Sequence, residues 1–242
     1  MPLSAGKYLT EIRSTINGWL YPGAVEVSEV LLAAQKTMNV TGGGIEIGVY
    51  QGAYLSYLAA ATEYTWAGLD VFMFGQQDLA RENIDRVLKE GKTKSSVELI
   101  QVNTQTLTED TFATTLKKAG IDKIAFASID GDHSAGGVFH DLKLVESRLV
   151  PGGIISVDDV LSPSSASVTE GLMRYMFGET SLRPVIFSDN KLFLTTTGFD
   201  ELYRIKCQVA FETAPGLTGD RWRAPGQINK IRPFLGGSLM HI

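Results

Sequence analysis

A chain of 242 residues with 44% hydrophobic and 20% charged side chains has the composition of a globular domain, neither disordered nor fibrous. Its 22 lysines and arginines against 27 acids leave a formal charge of −5, which excludes a broadly basic nucleic-acid footprint. One cysteine, Cys207, excludes an intrachain disulfide framework and a cysteine-based zinc site.

The first twenty residues carry Lys, Glu and Arg without an apolar run, so no secretory signal is expected. No stretch approaches the roughly 18 apolar residues of a membrane span, and the expected address is the cytoplasm. A Trp19-Leu20-Tyr21 cluster then precedes a helical periodicity over Ala24–Met38. Five short apolar runs follow: Gly44–Gly48, Thr65–Val71, Val97–Val102, Ile124–Asp130 and Gly153–Asp158. Helical patterns alternate with them near Gly52–Thr62, Asp78–Glu90, Thr108–Lys118 and Gly137–Leu149. Strands that are nearly all apolar and alternate with helices predict a parallel sheet buried on both faces. A helix near Val168–Phe177 leads to two more strands, Pro184–Ser188 and Lys191–Thr196. Only Asp189-Asn190 separates them, and so short a turn permits only an antiparallel hairpin.

Phe199–Glu212 reads as a helix with Phe199, Leu202, Ile205 and Val209 on its apolar face. The remainder, Ala214–Ile242, holds Pro215, Pro225 and Pro233 and is expected to lack regular structure, with His241 disordered. It carries Arg221, Arg223, Lys230 and Arg232 against Asp220, and is expected to cross a neighbouring subunit or the acidic rim of the site. A homo-oligomer through this tail or the N-terminal segment is therefore one expectation. The chain is expected to be one α/β domain of seven strands: a helical cap over 1–40, a core over 41–198 and a C-terminal helix and tail over 199–242.

Ligands of an open parallel sheet bind beyond the carboxyl ends of its strands. The first strand runs into Glu46-Ile47-Gly48-Val49-Tyr50-Gln51-Gly52, whose two glycines are separated by three residues, unlike a G-x-G-x-x-G dinucleotide turn. Gly48 is expected to sit where a side chain would invade a ligand's space. Asp70 ends the second strand, where an acid can accept hydrogen bonds from both hydroxyls of a ribose. Asn103-Thr104 end the third strand, beside an expected nucleobase. The fourth strand ends Asp130-Gly131-Asp132-His133 and the fifth Asp158-Asp159. Carboxylates converging there raise one another's pKa unless a cation offsets them, and oxygen ligands suit Mg²⁺, Ca²⁺ or Mn²⁺. Helix-capping acids facing water are the bland alternative. His140 reads as a surface or packing residue, and Cys207 as a small buried hydrophobe. Trp19 and Tyr21 form either a lid over the site or a hydrophobic dock for the first helix.

These residues resemble the class I S-adenosylmethionine-dependent methyltransferases. Glu46–Gly52 is similar to the first motif of catechol-type O-methyltransferases. The run from Ile129-Asp-Gly-Asp-His133 through Val150-Pro-Gly-Gly153 to Val157-Asp-Asp159 resembles the macrocin-type sugar O-methyltransferases. The resemblance spans roughly Trp19 to Thr196 and implies a Rossmann-like fold with a late antiparallel hairpin. It implies that Glu46 and Gly48 hold the methionine end of the cofactor, with Tyr50, Gly52 and Asp130 beside it. Asp70 would hold the ribose, and Asn103 and Thr104 the adenine. It also implies that Asp130, Asp158 and Asp159 bind a divalent cation such as Mg²⁺. His133 stands where catechol-type enzymes carry a basic lysine, and Tyr54 where they carry a serine. The expected activity is metal-assisted methylation of a hydroxyl on a small molecule, a sugar or a natural-product diol or catechol. A nicotinamide oxidoreductase lacks support, since no Tyr-x-x-x-Lys pair accompanies the missing glycine fingerprint. A methyltransferase-like hydroxylase of the cephalosporin type and a non-catalytic cofactor-binding module are the alternatives.

Overall fold

The computed structural model describes residues 2–213, 216–224 and 230–242. Its strands are β1 (Gly43–Ile47), β2 (Thr65–Asp70), β3 (Ser96–Gln101), β4 (Ile124–Ile129), β5 (Leu149–Val157), β6 (Leu182–Ser188), β7 (Lys191–Thr196), β8 (Ile231–Phe234) and β9 (Gly237–His241). They form one sheet of order β3-β2-β1-β4-β5-β7-β6-β9-β8. The first five are parallel, and β6 and β7 form the antiparallel hairpin that the Asp189-Asn190 turn predicts. Strand order reverses between β1 and β4, so the cleft beyond their carboxyl ends is the topological switch point.

The helices are α1 (Ala5–Lys7), α2 (Pro22–Thr37), α3 (Ala53–Ala60), α4 (Gln77–Gly91), α5 (Glu109–Lys118), α6 (Ala135–Glu146), α7 (Ala166–Met176), α8 (Asp200–Thr213) and α9 (Leu217–Arg223). Local chemistry sets several starts. Thr108 and Thr111 form a reciprocal capping box at α5, and Ser134 caps α6 by accepting from the Gly137 amide. One core packs α2, α3, α4 and α8 on one face of the sheet, around Trp66, Tyr57 and Phe126. The other packs α5, α6 and α7 on the opposite face, around Phe112, Leu142 and Leu172. Burial on both faces explains why the central strands are nearly all apolar.

Three expectations are corrected. The sheet has nine strands rather than seven, because the tail is ordered into α9 and the β8–β9 hairpin. Leu235 and Gly236 adopt φ of 46° and 72°, the left-handed pair that a tight hairpin requires. β9 then pairs with β6, burying Leu239, Met240 and Ile242. A β6 edge left bare would offer unpaired amides and apolar side chains, which is the reason the tail folds. His241, expected to be disordered, lies in this strand and stacks on Phe187 at 5.8 Å. Pro215 and Pro225 lie outside the described residues.

The apolar face of α8 is also misassigned by periodicity. Leu202, Ile205 and Val209 are 47%, 52% and 63% exposed, and Tyr203, Cys207 and Phe211 are buried instead. The latter recur at i, i+4 and i+8 and carry more surface to bury than the aliphatic stripe. Tyr203 also donates its hydroxyl to the Gly152 carbonyl at 2.5 Å, which fixes the helix's rotation.

Candidate active site

A cleft of about 1670 Å³ opens over the carboxyl ends of β1, β2, β4 and β5. One drug-sized ligand needs roughly 300–1,000 Å³, so the cleft has room for two. Among its lining residues are Glu46, Gly48, Tyr50, Asp70, Asn103, Thr104, Asp130, His133, Asp158 and Asp159. Four lining residues that are not glycine, Tyr50, Asp159, Leu161 and Asp189, have φ between 50° and 64°. Such backbone costs of order 1–3 kcal/mol per residue and clusters at functional sites.

The glycine-rich turn is held by Asp70. Its Oδ2 accepts from the amides of Val49 and Tyr50, each at 2.8 Å, and its Oδ1 from the Phe72 amide at 2.6 Å. A carboxylate offers about four lone-pair directions, so hydroxyls reaching it from the cleft still find acceptors. A Cβ on Gly48 would meet the Asp130 carbonyl oxygen at 1.9 Å, so the glycine lets the ends of β1 and β4 approach. Gly52, at φ 80°, is the N-cap of α3. Asn103 accepts from the Gln105 amide at 3.0 Å, and the Thr104 carbonyl meets His140 Nε2 at 3.1 Å. His140 also reaches the Leu107 carbonyl at 3.0 Å, so it pins this loop, as a packing residue does.

Glu46 is buried on β1 and accepts from the Leu55 amide at 3.1 Å. Burial pushes its carboxyl well above the usual range. Asp130 is pushed up to about 6 by burial and by the nearby Asp158 charge, against the pull of His133. His133 Nε2 lies 3.1 Å from Asp130 Oδ1, while its Nδ1 stands 3.5 Å from Asp159 Oδ2. The hydrogen bond to Asp130 and the charges of Asp130, Asp159 and Asp158 raise the imidazole pKa, outweighing partial burial.

S-adenosylmethionine fits these residues. The cofactor carries a sulfonium and an ammonium, and an acidic lining without lysine or arginine among the described residues suits two positive charges. A divalent cation at Asp130, Asp158 and Asp159 does not fit. No group of three or more His, Cys, Asp or Glu side chains among the described residues is arranged to hold a metal. Asp159 Oδ1 accepts from Asn190 Nδ2 at 2.8 Å and its Oδ2 from the Ser165 hydroxyl at 2.9 Å. Asp158 Oδ2 pairs with the buried Lys191 ammonium at 3.1 Å. Asp158 Oδ1 is buried without a donor, but one such oxygen is not a ligand set.

Lys191 is the residue that sequence reasoning missed. The signal was present: a charged residue opens an otherwise apolar strand, directly after the turn. Trp19 and Tyr21, for which two readings were open, are 86% and 53% exposed and line the cleft, with Trp19 6.1 Å from Tyr50. The tail meets the same rim. Arg221 Nη1 pairs with Asp189 Oδ1 at 2.6 Å, and Asp189 Oδ2 accepts from the Gly23 amide at 3.0 Å.

Residues 45–160 match a protein family described as a methyltransferase domain. No curated protein matches the chain in sequence. Among solved structures it is similar to CalS11, a TDP-rhamnose 3'-O-methyltransferase of calicheamicin biosynthesis, with TM-score 0.55 and 16% identity over 82% of this chain and 88% of that one. It is similar to the O-methyltransferase NovP, with TM-score 0.53 and 15% identity over 71% and 79% of the two chains. The O-methyltransferase from Bacillus cereus, solved with SAH, gives TM-score 0.53 and 16% identity over 79% and 89%. At these identities the likeness concerns the fold. Sheet order, matched domain and cleft agree: residues 45–160 match a methyltransferase domain, and the chain has the fold of the O-methyltransferases it is similar to.

Proposed function

We propose that the protein methylates a hydroxyl oxygen of a small molecule, of the sugar or natural-product diol or catechol kind, in the cytoplasm. The observation that carries this reading is the Asp130–His133 pair at the rim of a cleft with room for two ligands. The sulfonium of S-adenosylmethionine supplies an electrophilic methyl group when bound. Glu46 and the turn braced by Asp70 shape the end of the cleft that takes the cofactor, with Asn103 and Thr104 beyond. The acceptor hydroxyl is a poor nucleophile until it loses its proton. Asp130 fixes the imidazole through Nε2, which leaves Nδ1, too far from Asp159 for a good hydrogen bond, to take that proton. Orienting the oxygen about 3–3.5 Å from the methyl group completes the requirement for in-line attack. Magnesium, which the resemblance implies, has no step in this reading, because Asp158 is paired with the Lys191 ammonium and Asp130 with His133.

Incubation with labelled S-adenosylmethionine and a panel of sugars, diols and catechols tests the proposal. Label transferred to oxygen is the expected result. Cofactor binding without transfer to any acceptor would favour the non-catalytic module, and an oxidised product would favour the hydroxylase.

A further inference from the structure

Lys191 opens β7 and is followed by Leu192, Phe193 and Leu194, yet its own side chain is only 2% exposed. Register explains where it goes. β7 runs antiparallel to β5 with Val157 opposite Leu192, so the next pair outward sets Lys191 beside Asp158. A residue that starts its strand thereby reaches the rim where the parallel strands end. Its ammonium lies 3.1 Å from Asp158 Oδ2 and 4.7 Å from the centre of the Tyr54 ring. Tyr54 is fixed in turn by Ser28, 2.5 Å from its hydroxyl.

Burial alone would drive a lysine toward its neutral form. Here the Asp158 carboxylate at 3.1 Å and the face of the Tyr54 ring at 4.7 Å supply the contacts that compensate a buried ammonium. The acids of the cleft therefore already have a counter-charge beneath them, and it is covalently part of the chain. A divalent ion placed on Asp158 would meet this ammonium's like charge at close range, in a setting of low dielectric. Removing a buried ammonium leaves its partner's charge uncompensated, and that charge then seeks another cation.

We propose that the ammonium of Lys191 occupies the electrostatic role that the sequence resemblance gives to a divalent cation, so that this enzyme transfers methyl groups without a metal. The proposal rests on the methyltransferase reading above. Lys191 acts as a positioning residue: it holds Asp158 on the rim beside the Asp130–His133 pair.

The test is Mn²⁺ binding followed by electron paramagnetic resonance, alongside turnover in chelator and in added Mg²⁺. Wild-type protein is expected to show no saturable micromolar Mn²⁺ site and equal turnover in both solutions. Lys191→Met, which removes the charge and keeps the length, is expected to bind Mn²⁺ at least tenfold more tightly than wild type. Saturable micromolar binding to wild type overturns the proposal, as does activity lost in chelator and restored by Mg²⁺. A folded Lys191→Met with no gain in Mn²⁺ affinity also overturns it. If that variant does not fold, the wild-type titration decides alone. Calorimetric binding of S-adenosylmethionine to the same wild-type sample reports on the methyltransferase reading independently of either metal result.

Discussion

The Asp130 carbonyl oxygen lies 1.9 Å from the point where a Cβ on Gly48 would stand. Gly48 also has φ of 85°, a conformation that costs an L-residue about 1–2 kcal/mol. Overpacking of this kind adds roughly 1–3 kcal/mol. Gly48→Ala is therefore expected to destabilise the protein by about 2–5 kcal/mol, and to weaken cofactor binding through displacement of the rim. Thermal denaturation should show a fall of roughly 5–15 °C for a chain of this size. An unchanged melting temperature with lost cofactor affinity would instead show that Gly48 makes space for the ligand alone.

Asp70 and Tyr50 give a second, independent handle on the cofactor. Three backbone amides converge on one carboxylate, and Tyr50 is held at φ 50° by that bond. Asn at this position presents an NH₂ group to one side, where an amide proton already points. Asp70→Asn should then lose at least one amide contact, worth about 1–3 kcal/mol when the donor is left unsatisfied. Calorimetry is expected to show at least tenfold weaker S-adenosylmethionine binding in the folded variant. Affinity within twofold of wild type would remove Asp70 from the cofactor site.

The sheet and its rim were legible because burial on both faces leaves a plain signal. Each central strand is a short apolar run ended by a glycine or an acid, and the structure sets those ends beside one cleft. Asp130 and His133 were both legible as residues of this rim, and the structure adds the 3.1 Å contact between them. What the sequence concealed depends on long-range pairing. The position of Lys191 follows from the β5–β7 register, and that of β9 from the need to cover β6. The rotation of α8 is set by Tyr203 reaching Gly152, a contact 51 residues apart that helical periodicity cannot encode.

The tail yields a prediction about association. β9 satisfies one edge of β6 and buries Leu239, Met240 and Ile242. Truncation after Lys230 should expose that edge together with the apolar side chains beneath it, and bare edges template pairing with other chains. Light scattering is expected to show larger species than the full chain gives at equal concentration. A truncated protein with the same mass distribution and the same melting temperature would show that β9 contributes nothing to covering the edge. Arg221→Ala leaves Asp189, whose side chain is 10% exposed, without its paired cation, and should lower the melting temperature.

His133 makes the sharpest prediction about chemistry. It faces Asp130 through Nε2 and Asp159 through Nδ1, with Asp158 near, and these acids raise its pKa above the ordinary value of about 6.5. A base must be neutral to accept a proton, so turnover should fall as pH drops through the raised pKa. The acidic limb of the kcat profile is therefore expected above pH ~6.5, and turnover should plateau on the alkaline side of it. His133→Asn keeps a polar side chain but cannot take the proton, and should lose about 10²–10⁴ in kcat, with the limb abolished. Asp130→Asn should move the limb toward lower pH in whatever activity survives, because the hydrogen-bonded charge that raises the imidazole pKa is gone. If the limb persists unchanged in His133→Asn, the proton goes to another group, and His133 only orients its neighbours.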